Sequence, residues 1–191
     1  MVIKPIERID QNFAVGAPLE QRFPTIKMYS LEDSGAEVCG LYHKGENGVF
    51  CRLPQELLPS LSENIQSLAY NTAGGRVRFR TDSPFVGVKV KLISSFNMRH
   101  MPLSGSSGCD IYVGRGSETR HICMACPVAT DEAEYEDGAF VEPAPGIPER
   151  KMRDITVTLP LYNGITEICI GIDKDSSFLP PTPYTHGRVV F

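Results

Sequence analysis

Arg76-Val77-Arg78-Phe79-Arg80-Thr81-Asp82-Ser83-Pro84-Phe85-Val86-Gly87-Val88-Lys89-Val90-Lys91-Leu92 carries the clearest structural pattern in the chain. In its first half Val77, Phe79 and Thr81 alternate with Arg76, Arg78 and Arg80, the period of two expected of a strand with one buried face. Asp82-Ser83-Pro84 has the chemistry of a reversal, because Asp and Ser bond neighbouring amides and proline fixes φ. In the second half Val86, Val88, Val90 and Leu92 share one face. The two halves are expected to form a β-hairpin, which makes the fold an antiparallel β structure.

Downstream, residues 94–108 are polar and rich in Gly and Ser, a connection longer than most loops of compact domains. Strand signals return at 109–113 and 119–126 around the tight Gly114-Arg115-Gly116-Ser117. They appear again at 154–159 and 167–172, around Asn163-Gly164, a pair that favours a compact turn. Residues 131–150, acidic and proline-rich, are expected to form a surface excursion. Residues 176–184 are again proline-rich, and 187–191 are strand-like. Upstream, 36–42 and 48–53 are strand-like, separated by turn-rich residues 43–47. The helical signal is confined to 60–72. Ser60 and Glu63 have capping-box spacing, Ile65, Leu68, Ala69 and Thr72 recur at helical intervals, and Gly74-Gly75 ends the run. Many short strands with Gly/Pro turns and one short helix predict a mostly β, jelly-roll-like antiparallel β-sandwich over 36–191. Residues 1–35 are expected to be an N-terminal extension.

Composition narrows the function classes. Lys and Arg total 19 against 23 acids, without a basic run, so nucleic acid is not an expected partner. No segment approaches the roughly 20 apolar residues of a membrane span, and Met1-Val2-Ile3-Lys4-Pro5-Ile6-Glu7-Arg8 is not a signal peptide. A cytoplasmic location is therefore expected. In that reducing compartment Cys39, Cys51, Cys109, Cys123, Cys126 and Cys169 are expected to be free thiols.

Five blocks in order resemble the N-terminal domain that precedes SGNH/GDSL-type acyl hydrolase domains and carries a Gly-x-Asp-Leu-Tyr signature. The signature stands as Gly108-Cys109-Asp110-Ile111-Tyr112, with Ile in place of Leu. Its lead-in is Met101-Pro102-Leu103-Ser104-Gly105-Ser106-Ser107. Upstream lies Gly74-Gly75-Arg76-Val77-Arg78-Phe79-Arg80-Thr81-Asp82-Ser83, and downstream lie Leu159-Pro160-Leu161-Tyr162-Asn163-Gly164 and Ile170-Gly171. The likeness spans roughly residues 36–191. It implies a jelly-roll domain followed by an α/β domain that opens on a strand and a Gly-x-Ser-type turn bearing the nucleophile, with its His and Asp far downstream. Val189-Val190-Phe191 looks like that strand, so the catalytic half is expected to follow residue 191 and to be absent here.

Little in the chain itself offers chemistry. Ser104, Ser106 and Ser107 lie near His100, yet no strained strand-to-helix elbow surrounds them, and no catalytic residue is expected. Cys123-Met124-Ala125-Cys126 has zinc-ligand spacing but lacks a second pair, His43, His100, His121 and His186 are scattered, and no metal or cofactor is expected. Asp110 is expected to accept backbone N–H groups of 104–108, with a sugar hydroxyl as the alternative. Tyr112 is expected in the sandwich interior, with stacking on a ligand as the alternative. Arg76, Arg78 and Arg80 are expected on a solvated face or against acids of a neighbouring domain. Met98, Met101 and Leu103 give the long loop an apolar content suited to docking. Met98, His100, Met101, Leu103, Ser104, Asp110 and Tyr112 are thus the candidate residues for a ligand or a domain interface.

The expected function is a non-catalytic domain that supports or extends the substrate site of a serine esterase acting on acylated sugars or similar small esters. Its expected partners are the C-terminal catalytic domain of the same polypeptide and a carbohydrate or acyl-ester ligand. A homo-oligomer formed by edge pairing is open. Two rivals stand beside it. A stand-alone carbohydrate-binding module sits poorly with the absence of Trp, and a cupin-like metalloprotein would need clustered histidines.

Overall fold

Strands with one apolar face are stable only when two such faces close on each other. The structure, a computed structural model, describes residues 17–42, 48–142 and 149–185. The turn expected at 43–47, the strand expected at 187–191, His43 and His186 lie outside the described residues.

The described chain runs α1 (Leu19–Arg22), β1 (Ile26–Ser30), β2 (Glu37–Cys39), a 3-10 segment (Gln55–Ser60), α2 (Glu63–Ala69), β3 (Arg76–Thr81) and β4 (Phe85–Leu92). It continues as α3 (Leu103–Ser107), β5 (Cys109–Val113), β6 (Arg120–Ala125), β7 (Glu134–Phe140), β8 (Arg153–Thr158), β9 (Ile165–Asp173) and β10 (Phe178–Leu179). One sheet is ordered β1-β9-β4-β7 and the other β10-β3-β8-β5-β6, with β2 also pairing with β3. Setting aside short β2 and β10, the remaining strands counted in chain order lie 1-8-3-6 in one sheet and 2-7-4-5 in the other. That order is a jelly roll, as expected.

The reversal at 82–84 does not make the expected hairpin. β3 pairs with β8, whereas β4 pairs with β7 and β9, so these residues carry the chain between sheets. Val77, Phe79 and Thr81 point inward from one sheet; Val86, Val88, Val90 and Leu92 meet them from the other. Alternation tells which face is buried and not which strand lies alongside. Ser83 holds the crossing: its buried hydroxyl donates to the Phe85 carbonyl (2.5 Å) and accepts from the Asp173 amide (3.0 Å).

Among the described residues three strands fall where none was expected: β1, β7 and the short β10, which pairs with the end of β3 inside the proline-rich 176–184. β1 pairs with β9 from Ile26↔Asp173 to Ser30↔Cys169, so the sandwich begins before residue 36. β7, inside the expected surface excursion, pairs along the length of β4. Its outward acids Glu134 and Glu136 gave it the look of a loop, while Tyr135 is buried. Gly138, Gly87 and Gly171 stand abreast across β7, β4 and β9. A Cβ on Gly87 would come within 2.9 Å of Leu19, and one on Gly171 within 2.5 Å of Ile26. The bare trough therefore admits the side chains of α1 and β1, and Phe23 stacks on Phe85 beside it (4.4 Å between ring centroids).

Other local expectations are corrected. Residues 48–53 form only a bridge, Tyr42↔Cys51. Ser62, not Ser60, is the N-cap of α2, and the Ser60 hydroxyl bonds the Leu57 carbonyl instead. Besides α2, the described residues include two further short α-helices, α1 and α3. The helical spacing in α2 was real, yet Ile65 and Leu68 remain 46% and 53% exposed, and Ala69 alone is buried.

At the end of β9, Asp173 is 5% exposed and accepts from Thr25 Oγ1 (2.5 Å), Arg150 Nη2 (2.6 Å) and the Asp175 amide (3.0 Å). Burial pushes its pKa up, but the Thr25 and Arg150 hydrogen bonds outweigh this and hold the carboxyl below its usual range. A depressed carboxylate stabilises the fold above its unfolded pKa, about 3.9, and ceases to do so as pH falls through the folded value. Asp173→Asn is expected to lower unfolding free energy by about 1–3 kcal/mol at neutral pH. In urea titrations at several pH values, the gap between wild type and variant should shrink in the acid range.

Candidate functional site

Three connections meet at one end of the sandwich: 70–75 after α2, 94–108 before β5, and 159–164 between β8 and β9. Asn163 joins them from a buried position. Its Nδ2 donates to the Ser94 carbonyl (2.8 Å) and to Ser107 Oγ (3.2 Å), and its Oδ1 accepts from the Gly164 amide (2.9 Å). Its own carbonyl accepts from the Thr72 amide (3.0 Å) and from Thr72 Oγ1 (3.1 Å). The Tyr162 amide donates to the Ser106 carbonyl (3.0 Å), and Tyr135 Oη donates to the Ser107 carbonyl (2.8 Å). The lead-in and the Leu159-Pro160-Leu161-Tyr162-Asn163-Gly164 block thus close one polar knot.

The candidate residues divide around this knot. Met98 and Met101 bridge across a tight turn, with exposed His100 between them. Leu103 and Ser104 open α3, and Ser106 and Ser107 end buried with their hydroxyls 3.5 Å apart. No serine hydroxyl among the described residues is hydrogen-bonded to an imidazole. Asp110 does not hold the amides of 104–108. The Gly105 and Ser106 amides donate to the Pro102 carbonyl at the start of α3, and Asp110 Oδ1 instead contacts His121 Nε2 on β6 (3.0 Å). Tyr112 is not interior. Inward places on β5 belong to Cys109, Ile111 and Val113, and Tyr112 lies half-buried outside, edge-on to His121 at 5.3 Å.

The arginine stripe is a solvated face only in part. Arg78 is buried: it donates to the Thr182 carbonyl (2.9 Å), lies 3.7 Å from Glu37 and stacks over Tyr184 at 3.9 Å. Arg80 donates to the Pro180 carbonyl (2.9 Å) and Arg115 to that of Pro183 (3.0 Å), while Asp154 accepts from both the amide and the hydroxyl of Thr182. Residues 180–184 are therefore strapped across the outer face of the second sheet. Arg76 stays exposed and makes no hydrogen bond or ion pair among the described residues.

Two clefts open at the knotted end. One, about 370 Å3, is lined by Tyr70, Ile93, Phe96 and Tyr162, among others. The second, about 440 Å3, lies over the outer sheet face between Gly74, Gly75, Arg76, Ser104, Gly105, Gly108, Asp110, Thr158 and Leu161. The sequence reading named Ser104 and Asp110 but missed Thr158 and Leu161, and did not bring Arg76 to them. Strand register unites Arg76, Thr158 and Asp110, and register is not visible in any single segment.

All six cysteines are unbonded. Burial pushes the Cys109 and Cys123 thiols up to about 12, so neither is a thiolate near neutrality. Among the described residues no His/Cys/Asp/Glu group is placed to hold a metal ion, and no helix is long and apolar enough to cross a membrane.

Fold and site together define a jelly-roll domain whose sequence blocks are tied into a structural knot beside two open clefts. Residues 26–178 match the GxDLY family, the N-terminus of SGNH-hydrolase-type esterases, and the chain belongs to that family. Among solved structures, a protein described as a GDSL-like lipase from Bacteroides ovatus is 17% identical with a TM-score of 0.68; the match covers 82% of this chain and 43% of that one. Salicylyl-acyltransferase SsfX3 from a tetracycline biosynthetic pathway is 17% identical with a TM-score of 0.58, over 84% and 43% of the two chains. At such identity the likeness is one of fold, and this chain spans less than half the length of either protein. No curated protein matches it.

Replacing Asn163 with Ala takes this partner from two buried groups, the Ser107 hydroxyl and the Gly164 amide, at a cost of about 3 kcal/mol, or about 6–12 °C in Tm. His100→Ala, on the exposed turn, is expected to stay within about 0.5 kcal/mol of wild type. Thermal denaturation of both variants checks this.

Proposed function

We propose that this chain is the non-catalytic N-terminal domain of an SGNH/GDSL-type serine esterase, and that it supports or extends the substrate site for acylated sugars or similar small esters. The family match over residues 26–178 carries the reading. The fate of the serines supports it. A nucleophilic serine needs a base within hydrogen-bond reach, whereas Ser106 and Ser107 are buried and Ser107 Oγ is bonded to Asn163. In the parent enzyme the reacting serine, its histidine base and the oxyanion donors belong to a catalytic domain of the same polypeptide.

The 94–108 connection is the surface proposed to face that domain. Its Met98, Met101 and Leu103 are half-buried, and exposed Leu161 and Tyr162 lie next to it. A cytoplasmic location fits the six unbonded cysteines.

Hydrolysis of p-nitrophenyl acetate tests the reading. The chain of 191 residues should give background turnover only, and the natural polypeptide containing the catalytic domain should give saturable turnover. Saturable hydrolysis by the shorter chain contradicts the proposal. Removing residues 98–103 from the longer polypeptide should change its preference among ester substrates or its stability; no change in either counts against the interface.

A further inference from the structure

We propose that the 440 Å3 cleft beside Gly74 and Gly75 binds the hydroxylated part of a neutral, pyranose-sized molecule, with Arg76, Thr158 and Asp110 bonding adjacent hydroxyls. The inference rests on the reading above, since it names what the domain offers to the substrate of its catalytic partner.

Strand register builds the floor. Arg76 on β3 and Asp110 on β5 both pair with Thr158 on β8, one from each side. Neighbouring strands lie about 4.8 Å apart, so the backbones of Arg76 and Asp110 stand about 10 Å from each other with the Thr158 hydroxyl between them. All three line the cleft, with Ser104 at its wall. Its volume falls in the range of small-molecule sites, about 300–1,000 Å3.

The ligand class follows from charge and hydrogen-bond capacity. His121 engages Asp110 Oδ1, and Oδ2 accepts no hydrogen bond among the described residues. The Arg76 guanidinium offers only donors, the Asp110 carboxylate only acceptors, and the Thr158 and Ser104 hydroxyls offer both. An anion suited to Arg76 meets Asp110, and a cation suited to Asp110 meets Arg76. A neutral polyol satisfies both, because each hydroxyl donates and accepts. Gly74, Gly75, Gly105 and Gly108 line the walls with backbone, and Leu161, 50% exposed, supplies an apolar side for the C–H face of a ring. The smaller cleft lacks this pairing of charges, and its Asn163 amide is already engaged.

Amide chemical shifts of the nitrogen-15-labelled chain test the site directly. The titrants are methyl glucopyranoside, methyl galactopyranoside and methyl xylopyranoside, with sodium acetate as the anionic control. At least one pyranoside should give saturable shifts at Arg76, Asp110, Thr158 and Leu161, and acetate should not. Arg76→Gln and Asp110→Asn should each weaken that binding about tenfold while the spectrum stays dispersed. Arg76 is exposed and unbonded, so its variant keeps the test valid should Asp110→Asn disturb the fold. Shifts with acetate alone, no saturable shift with any pyranoside, or pyranoside shifts indifferent to Arg76→Gln would overturn the proposal. Such a result beside esterase activity confined to the longer polypeptide removes this inference and leaves the accessory role standing.

Discussion

Buried in the turn after β8, the Asn163 side chain has no water to fall back on, so every hydrogen bond it needs must be made inside the protein. Both donors and the acceptor of its carboxamide are engaged, with Ser94, Ser107 and Gly164 as partners. Ser94 and Ser107 bracket the 94–108 connection and Gly164 follows Asn163 itself, while Thr72, bonded to the Asn163 main-chain carbonyl, draws in the connection after α2. Releasing the carboxamide would strip a partner from two buried groups at once, the Ser107 hydroxyl and the Gly164 amide, each costing about 1–3 kcal/mol. The residues that mark the family are therefore explained first by the fold, and only through it by function. They close the end of a jelly roll and leave the clefts beside it open.

A second constraint acts on the outer face of the six-residue register shared by β3 and β8. A buried guanidinium is costly unless its partners are good. Arg78 meets that condition in part: Nη2 donates to the Thr182 carbonyl and Tyr184 covers the plane, while buried Nη1, 3.7 Å from Glu37, makes no hydrogen bond among the described residues. The same partners lay residues 180–184 over one part of the sheet, which leaves Arg76, Thr158 and Asp110 uncovered at the other. Strap and cleft thus divide one sheet face, with three arginines of identical spacing meeting three different fates.

Much of this was legible in the sequence, and its gaps have physical causes. Alternation identified the inward faces of β3 and β4 because burial acts on each strand separately. It could not show that residues 82–84 cross between sheets, since partner choice is a property of the assembled sandwich. β7 was obscured by acids on its solvent side, and β1 has no alternation of buried and exposed residues to reveal it. The resemblance identified the family and the loop, and it placed Ser104 and Asp110 near a candidate site. The Asp110–His121 contact joins two strands in their folded register, beyond the reach of local turn chemistry. Helical spacing in α2 correctly gave a helix but said nothing of its burial, and Ile65 and Leu68 stayed exposed.

If the polar knot holds this end of the sandwich together, its amides should open only when the whole domain unfolds. Native-state hydrogen exchange at Thr72, Ile93, Tyr162 and Gly164 measures this directly. Exchange free energies equal to that of global unfolding, with the denaturant dependence of global unfolding, are the result this account requires. Exchange through a local opening that is independent of denaturant, while the strands stay protected, would contradict it.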